Sequence, residues 1–289
     1  MTLVDILNTI GTEVEDAEEE SFLLFSQDIP SSNLGFVDSR ASSVEITINE
    51  TEYTIRQSPT ILSSARGGGT TGAVLWKITP RLASWLTSPN PLWKNDLLTS
   101  SSAVVELGCG ISPLVGLSVG SRVGSYLATD QEYVRKLFME NITQNTTTTM
   151  KTRTKTKTKS KHASTLSFTS LDWERDDPSS LSKEGFDLLL SCDCVYNEAL
   201  VKPFVRTCAD ICRLRSRESD SADHHHHHSR PTLCLIAQQQ RVPDVFETWL
   251  KETMHLFRVW RLEDHHVLGS GLGLGSGYLL HLLVLKTAL

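Results

Sequence analysis

The stretch Val104-Val105-Glu106-Leu107-Gly108-Cys109-Gly110 decides how this chain folds. An apolar run carrying a single acid reads as a buried strand, and the Gly-x-Gly that follows reads as a tight turn into a helix. Glycine has no Cβ, so the backbone there can approach a ligand closely, and the next helix presents its free N–H groups to the same place. Ser112 and Pro113 fit the N-cap and first-turn positions of that helix. A dinucleotide fingerprint asks for a third glycine at position 113, where this chain has Pro113, so a pyrophosphate-binding dehydrogenase is disfavoured. Glu106, just ahead of the glycines, suits a ligand carrying an amino group. Taken alone, a Gly-x-Gly turn is equally compatible with a strand-to-helix connection that binds nothing.

Outward from this stretch, strand, helix and strand alternate, the pattern of a parallel sheet covered on both faces. Periodicity places strands at 103–107, 125–129, 166–170, 186–192, 232–237, 258–262 and 278–286, with helices at 113–121, 131–144, 200–215 and 243–256. The expected fold is α/β, a Rossmann-like seven-strand sheet, mostly parallel with the last strand antiparallel. Upstream, Val44, Ile46 and Ile48 alternate with polar residues, 49–52 carries turn chemistry, and Tyr53 and Ile55 resume the alternation, predicting a small N-terminal β-hairpin extension. Residues 74–86 have helical spacing. The expected organisation is an acidic, partly helical and partly disordered lead-in over 1–40, a hairpin and helix cap over 41–86, and a main domain over 87–289. Low-complexity polar insertions interrupt that domain at 146–164 and 215–230.

Composition narrows the class. Hydrophobic residues make up 39% of the 289, enough for a sizeable core. No apolar run reaches the roughly 18 residues of a membrane-spanning helix. Acidic residues from Glu13 to Glu20 stand near the start, where a secretory signal would be basic and then apolar, so the chain is expected in the cytosol or nucleus. The cysteines (Cys109, Cys192, Cys194, Cys208, Cys212, Cys234) sit mostly in apolar runs, which predicts buried, reduced thiols and no disulfide framework. Formal net charge is -6 although Lys151 to Lys161 holds six basic residues, so the rest is near -12, which argues against a broad basic face for nucleic acid.

Further candidates stand where strands end. Asp130 closes the second strand, the position at which doubly wound folds place a carboxylate for ribose hydroxyls, and it is equally able to cap a helix starting at Gln131. Leu171-Asp172-Trp173 closes the third strand with a carboxylate and a broad aromatic surface, or with simple edge packing. The fourth strand runs into Asp193-Cys194-Val195-Tyr196, beyond the carboxyl end of a central strand, where ligands of open α/β sheets bind. An acid and a ring there could orient an amine nucleophile. Equally, Asp193 could cap the helix beginning near Asn197 while Tyr196 packs.

Taken together, these blocks resemble a known family. Glu106 to Gly110, Asp130 followed by Glu140-Asn141-Ile142, Leu171-Asp172-Trp173, and the D-x-x-Y block Asp193 to Tyr196 resemble the seven-β-strand protein lysine methyltransferases that carry that motif. The upstream run Thr71-Gly72-Ala73-Val74-Leu75-Trp76 matches the family's Gly-x-x-x-Trp element. Residues 191–200, continued by Pro203-Phe204-Val205 and 208–214, are similar to the fungal ribosomal lysine N-methyltransferase 5 group. The likeness covers roughly residues 44–286 with the two insertions set aside, and ordered motifs are more specific together than singly.

The resemblance implies S-adenosylmethionine as cofactor, contacted by Trp76, Glu106, Gly108, Gly110, Asp130, Trp173 and Cys192, and no metal. It implies Asp193 and Tyr196 as the catalytic pair nearest a target lysine, a hairpin forming a cap over the site, and a large-subunit ribosomal protein as substrate. A monomer with no direct nucleic-acid requirement is expected. Other readings are methyl transfer to another protein, RNA or a metabolite, or cofactor binding without catalysis; an Asn-Pro-Pro-Tyr element, which would clamp a nucleobase amine, is missing after the fourth strand. The chain departs from the family pattern in its Thr/Lys tract and in the polar run Gln238-Gln239-Gln240-Arg241. His224 to His228, in a polar insertion, and the 269–277 glycine run, without a phosphate-loop ending, read as surface connectors.

Overall fold

The computed structural model describes residues 1–27, 35–65, 69–152, 166–216, 230–262 and 271–289. The His224 to His228 run and most of the Thr/Lys tract lie outside the described residues.

The strands of the main sheet are β1 (Gly11–Glu13), β4 (Ala103–Leu107), β5 (Ser125–Asp130), β6 (Leu166–Ser170), β7 (Leu188–Cys192), β8 (Leu233–Gln239), β9 (Phe257–Leu262) and β10 (Tyr278–Leu285), in the order β1-β9-β10-β8-β7-β4-β5-β6. β4 pairs in parallel with β5 and β7, β5 with β6, and β7 with β8; β10 is antiparallel to both β8 and β9. The seven expected strands are all there, within a residue or two at their ends, and the last is antiparallel as expected.

The sheet has an eighth strand that the sequence did not announce. β1 comes from the acidic lead-in and pairs antiparallel with β9. It sits between α1 (Leu3–Ile10) and α2 (Ala17–Phe25), whose N-caps Thr2 and Asp16 accept hydrogen bonds from first-turn N–H groups. Three residues are too few to show a period of two, so only the pairing identifies the strand. Arg258 grips Glu13 with two hydrogen bonds, and the buried Arg261 pairs with the buried Glu20 of α2, tying the lead-in to the sheet edge.

Both faces of the sheet are apolar because successive strand residues point to opposite sides. Val104, Leu188, Leu190 and Leu235 join one cluster with α4 (Ile78–Thr87), α5 (Pro91–Lys94) and α6 (Leu114–Val119). Val105, Leu107, Leu189 and Ile236 join the other with α8 (Glu198–Ser216) and α9 (Pro243–Leu256). Each such side chain contributes about 1.5–3 kcal/mol on burial.

The hairpin is β2 (Ser43–Ile48) and β3 (Thr51–Arg56), closed by Asn49 and Glu50, both at positive φ, the two-residue turn whose twist matches paired strands. It docks on α7 (Arg135–Thr152) through Asn141 and Asn145, whose amides take up the backbone N–H and C=O of Arg56 and Thr54. The expected helix over 74–86 begins only at Ile78. Pro80 has no N–H and is tolerated in a first turn but not in a helix interior, and residues 75–77 instead pair with 35–37.

Candidate active site

Strand order reverses at β4, with β5 and β6 on one side and β7 and β8 on the other. The crevice beyond the carboxyl ends at such a reversal is where open α/β sheets bind ligands. A cavity of about 480 Å³ opens there, and Trp76, Glu106, Gly108, Gly110, Asp130, Trp173, Cys192, Asp193 and Tyr196 all line it. Gly69 to Gly72 and Val74 to Trp76, after the hairpin, also reach the cavity, but none of the hairpin strand residues does. The cap over the cleft is therefore that following segment, with the hairpin as its support.

The first wall is the turn after β4. Gly108 and Gly110 have φ of +71° and +58°, a region that strains any side chain with a Cβ. A Cβ on Gly108 would collide with Cys194 Sγ, and one on Gly110 would lie 2.9 Å from the Gly72 carbonyl oxygen. The turn is held by Gly108 and Cys109 N–H donating to the Thr129 carbonyl and by Gly110 N–H donating to Asp130 Oδ2 at 2.7 Å. Asp130 Oδ1 accepts from Gln131 N–H, and α7 starts only at Arg135, so Asp130 braces the glycine turn instead of capping that helix. A carboxylate has about four acceptor sites, which leaves Asp130 capacity for a ligand. Removal from water pushes its carboxyl up to about 6.

Glu106 is 1% exposed and accepts from Tyr126 Oη at 2.8 Å. Burial pushes its carboxyl up to about 7; the Tyr126 hydrogen bond works against that, and the nearby Asp130 adds to it. Trp173 packs against Phe204, and its indole N–H is buried without a protein acceptor among the described residues. Cys192 and Cys194 are buried free thiols whose ionisation burial pushes up, so both line the cavity as neutral groups.

The opposite wall is the D-x-x-Y block. Asp193 sits at φ +58°, which turns the chain sharply out of β7, and its carboxylate is almost fully buried. Oδ1 accepts from Gln239 N–H at 3.1 Å and Oδ2 pairs with Arg241 Nη2. Burial raises its carboxyl above the ordinary range, with Arg241 and the Gln239 N–H pulling the other way. Asn197, not Asp193, caps α8, accepting from Ala199 N–H. Tyr196 does more than pack: its hydroxyl lies 3.0 Å from Thr71 Oγ1, and its ring lies near-parallel to Trp76, with centroids 6.3 Å apart.

Sequence reasoning missed Tyr126 and Arg241, and of the Thr71 to Trp76 run it singled out only Trp76 as a site residue. Tyr126 was findable in retrospect, because it pairs with Val104 and therefore shares a sheet face with Glu106 two residues on. Arg241 carried only the signal of an unusually polar run. The set as a whole suits a ligand with an amino group, a ribose and a flat base: one buried acid, a turn with no room for a Cβ, a second acid and an indole with an unused donor.

A family model described as lysine methyltransferase matches residues 56–222, more than half of the chain. The chain belongs to the lysine methyltransferase family. It is accordingly a methyltransferase, and its cofactor is S-adenosylmethionine. The methyltransferase is 29% identical to the ribosomal lysine N-methyltransferase 5 of Zygosaccharomyces rouxii over 70% of each chain, and 25% identical to that of Vanderwaltozyma polyspora over 86% of this chain and 91% of the relative. It is also 31% identical, over 65% of its length, to a Schizosaccharomyces pombe protein named diaminohydroxyphosphoribosylamino-pyrimidine deaminase, but spans only 42% of that protein. Among solved structures it is similar to the Thermus thermophilus 16S rRNA N2 G1207 methyltransferase, with a TM-score of 0.48 and 12% identity, over 84% of this chain and 50% of that one. No described helix is long and apolar enough to cross a membrane.

Proposed function

We propose that the methyltransferase modifies the side-chain amine of a lysine on a large-subunit ribosomal protein. The observation that carries this reading is that one cavity has both a wall suited to the cofactor, Glu106 with the 108–110 turn and Asp130, and a wall suited to an amine, Asp193 with Tyr196 and Trp76. The two relatives named ribosomal lysine N-methyltransferase 5 support the substrate class.

In this reading Glu106 receives the cofactor's amino group, Asp130 its ribose hydroxyls, and Trp173 lies against its base, with Gly108 and Gly110 admitting it close to the backbone. When bound, S-adenosylmethionine supplies an electrophilic methyl group. The chain's own part is alignment and electrostatics. A protonated lysine has no lone pair, so its ammonium must first be held and then pass a proton to water before the amine attacks. Asp193 holds the ammonium, and the rings of Tyr196 and Trp76 supply cation-attracting faces beside it. Free, buried cysteines suit a reducing compartment, and we place the reaction in the cytosol or nucleus, on a monomer.

The test is incubation with radiolabelled S-adenosylmethionine and an extract from cells lacking the enzyme, followed by mass spectrometry of the labelled band. A methylated lysine in a large-subunit ribosomal protein is the expected result. Label confined to RNA or to small molecules would overturn the reading.

A further inference from the structure

Arg241 occupies the amine wall. It stands two residues beyond β8, in the short connection to α9, and its side chain is 16% exposed. Its guanidinium pairs with Asp193 Oδ2 while its carbon centre lies 4.7 Å over the ring of Trp76, whose ring lies near-parallel to that of Tyr196. An anion and an aromatic face side by side make a site for one cation, and here this chain's own arginine fills it.

We infer that Arg241 determines acceptor specificity: its guanidinium stands where a target ammonium must bind, and it has to swing aside before Asp193 can receive a lysine. This rests on the lysine-methyltransferase reading above and names the residue that restricts entry to the amine wall.

The hydrogen bonding favours a displaceable guanidinium over a fixed brace. Arg241 Nε is buried with no acceptor, and the side-chain amide of Gln239 beside Asp193 is buried with no partner, among the described residues. A network left this incomplete costs less to rearrange than a satisfied one. The backbone next to Arg241 is anchored separately, by Gln240 N–H to the Gly277 carbonyl and Gln240 Nε2 to the Leu24 carbonyl, so the side chain can move without breaking main-chain bonds. Asp193 keeps the Gln239 N–H on Oδ1 when Arg241 leaves, which frees Oδ2 for an ammonium.

A consequence follows for acceptor choice. Any amine must compete with a guanidinium already in place, so a small free amine is turned away. A lysine on a protein surface brings contacts from its surroundings that offset the displacement. Arg241 is thus a filter against free amines.

The experiment titrates n-butylammonium, which matches the lysine side chain beyond Cα, into the full-length protein saturated with S-adenosylhomocysteine, and reads binding by calorimetry. Arg241→Gln, which is neutral and keeps much of the side-chain bulk, is expected to bind the amine at least ten-fold more tightly than the parent. Arg241→Ala should behave likewise, and the double variant Arg241→Gln, Asp193→Asn should return to weak binding. Thermal unfolding of each variant confirms a folded protein, and the Gln variant decides the matter if the Ala variant does not fold. Unchanged or weaker amine binding by a folded Arg241→Gln protein overturns the inference and makes Arg241 a fixed brace for Asp193. Because binding is read without turnover, tighter amine binding with no lysine labelled in the extract experiment would uphold the filter and sink only the substrate assignment.

Discussion

The hydroxyl of Tyr126 donates to Glu106 Oε2 at 2.8 Å, across two adjacent strands and beneath the floor of the cleft. Glu106 is thereby kept buried, hydrogen-bonded and ready to ionise when a cation arrives. Its carboxyl, pushed up to about 7 by burial, lies above the ordinary carboxylate value of 4.5. The sign follows. Between those values the folded state binds a proton that the unfolded state does not, so stability falls as pH rises from 4.5 through about 7. A ligand whose amino group needs the ionised form binds less well as pH drops below about 7. Cofactor affinity should therefore decline by up to about ten-fold per pH unit below that point, and Glu106→Gln should remove the slope above about pH 6, where Asp130 starts to take up its proton, while weakening binding. Tyr126→Phe removes the opposing hydrogen bond and should move the decline to higher pH. Calorimetry across a pH series checks all three.

Gly108→Val is expected to eliminate measurable cofactor binding. The new Cβ meets Cys194 Sγ, and the positive φ adds strain of about 1–2 kcal/mol for a residue with a side chain. Gly108→Ala should share the defect in milder form. Combining it with Cys194→Ala removes the collision but not the backbone strain, so binding should recover only in part. Full recovery would show that crowding alone excludes the side chain.

Asp193→Asn tests the amine wall with little disturbance, because asparagine tolerates positive φ and can still accept the Gln239 N–H. Methyl transfer should fall by about 100-fold or more while cofactor affinity stays within a few-fold. The same holds for Asp193→Ala, at a greater cost in stability because Arg241 loses its buried partner. Parallel loss of transfer and cofactor binding would put Asp193 on the cofactor side of the cleft.

Asn141 is fully buried and its side-chain amide makes three hydrogen bonds, from Arg56 N–H and to the carbonyls of Arg56 and Ile111. It joins the hairpin, α7 and the turn leading into α6. Asn141→Ala should destabilise the protein by about 2–3 kcal/mol, lower Tm by roughly 5 °C, and speed proteolysis between β3 and α4. A Tm unchanged from the parent would mean that the hairpin docks by other contacts.

Short-range pattern made much of the fold and site legible. The Val104 to Gly110 run held a strand, a turn and a buried acid within seven residues, and strand alternation placed the remaining parallel strands to within a residue or two. Asp130 and Asp193 were visible as strand-ending acids, but local sequence left each a choice between capping a helix and serving a site. Cap geometry removes the capping role from both, because Asn197 holds the α8 cap and Asp130 accepts from Gly110 and Gln131.

Periodicity and turn chemistry act between neighbours in the chain, so the amino-acid order alone determined the doubly wound sheet, the glycine turn and the acids at the strand ends. Pairing and register act between residues far apart. Only the tertiary structure therefore decided that β1 joins the sheet edge, that Tyr126 reaches Glu106, and that Arg241 crosses from β8 to lie on Asp193 against Trp76.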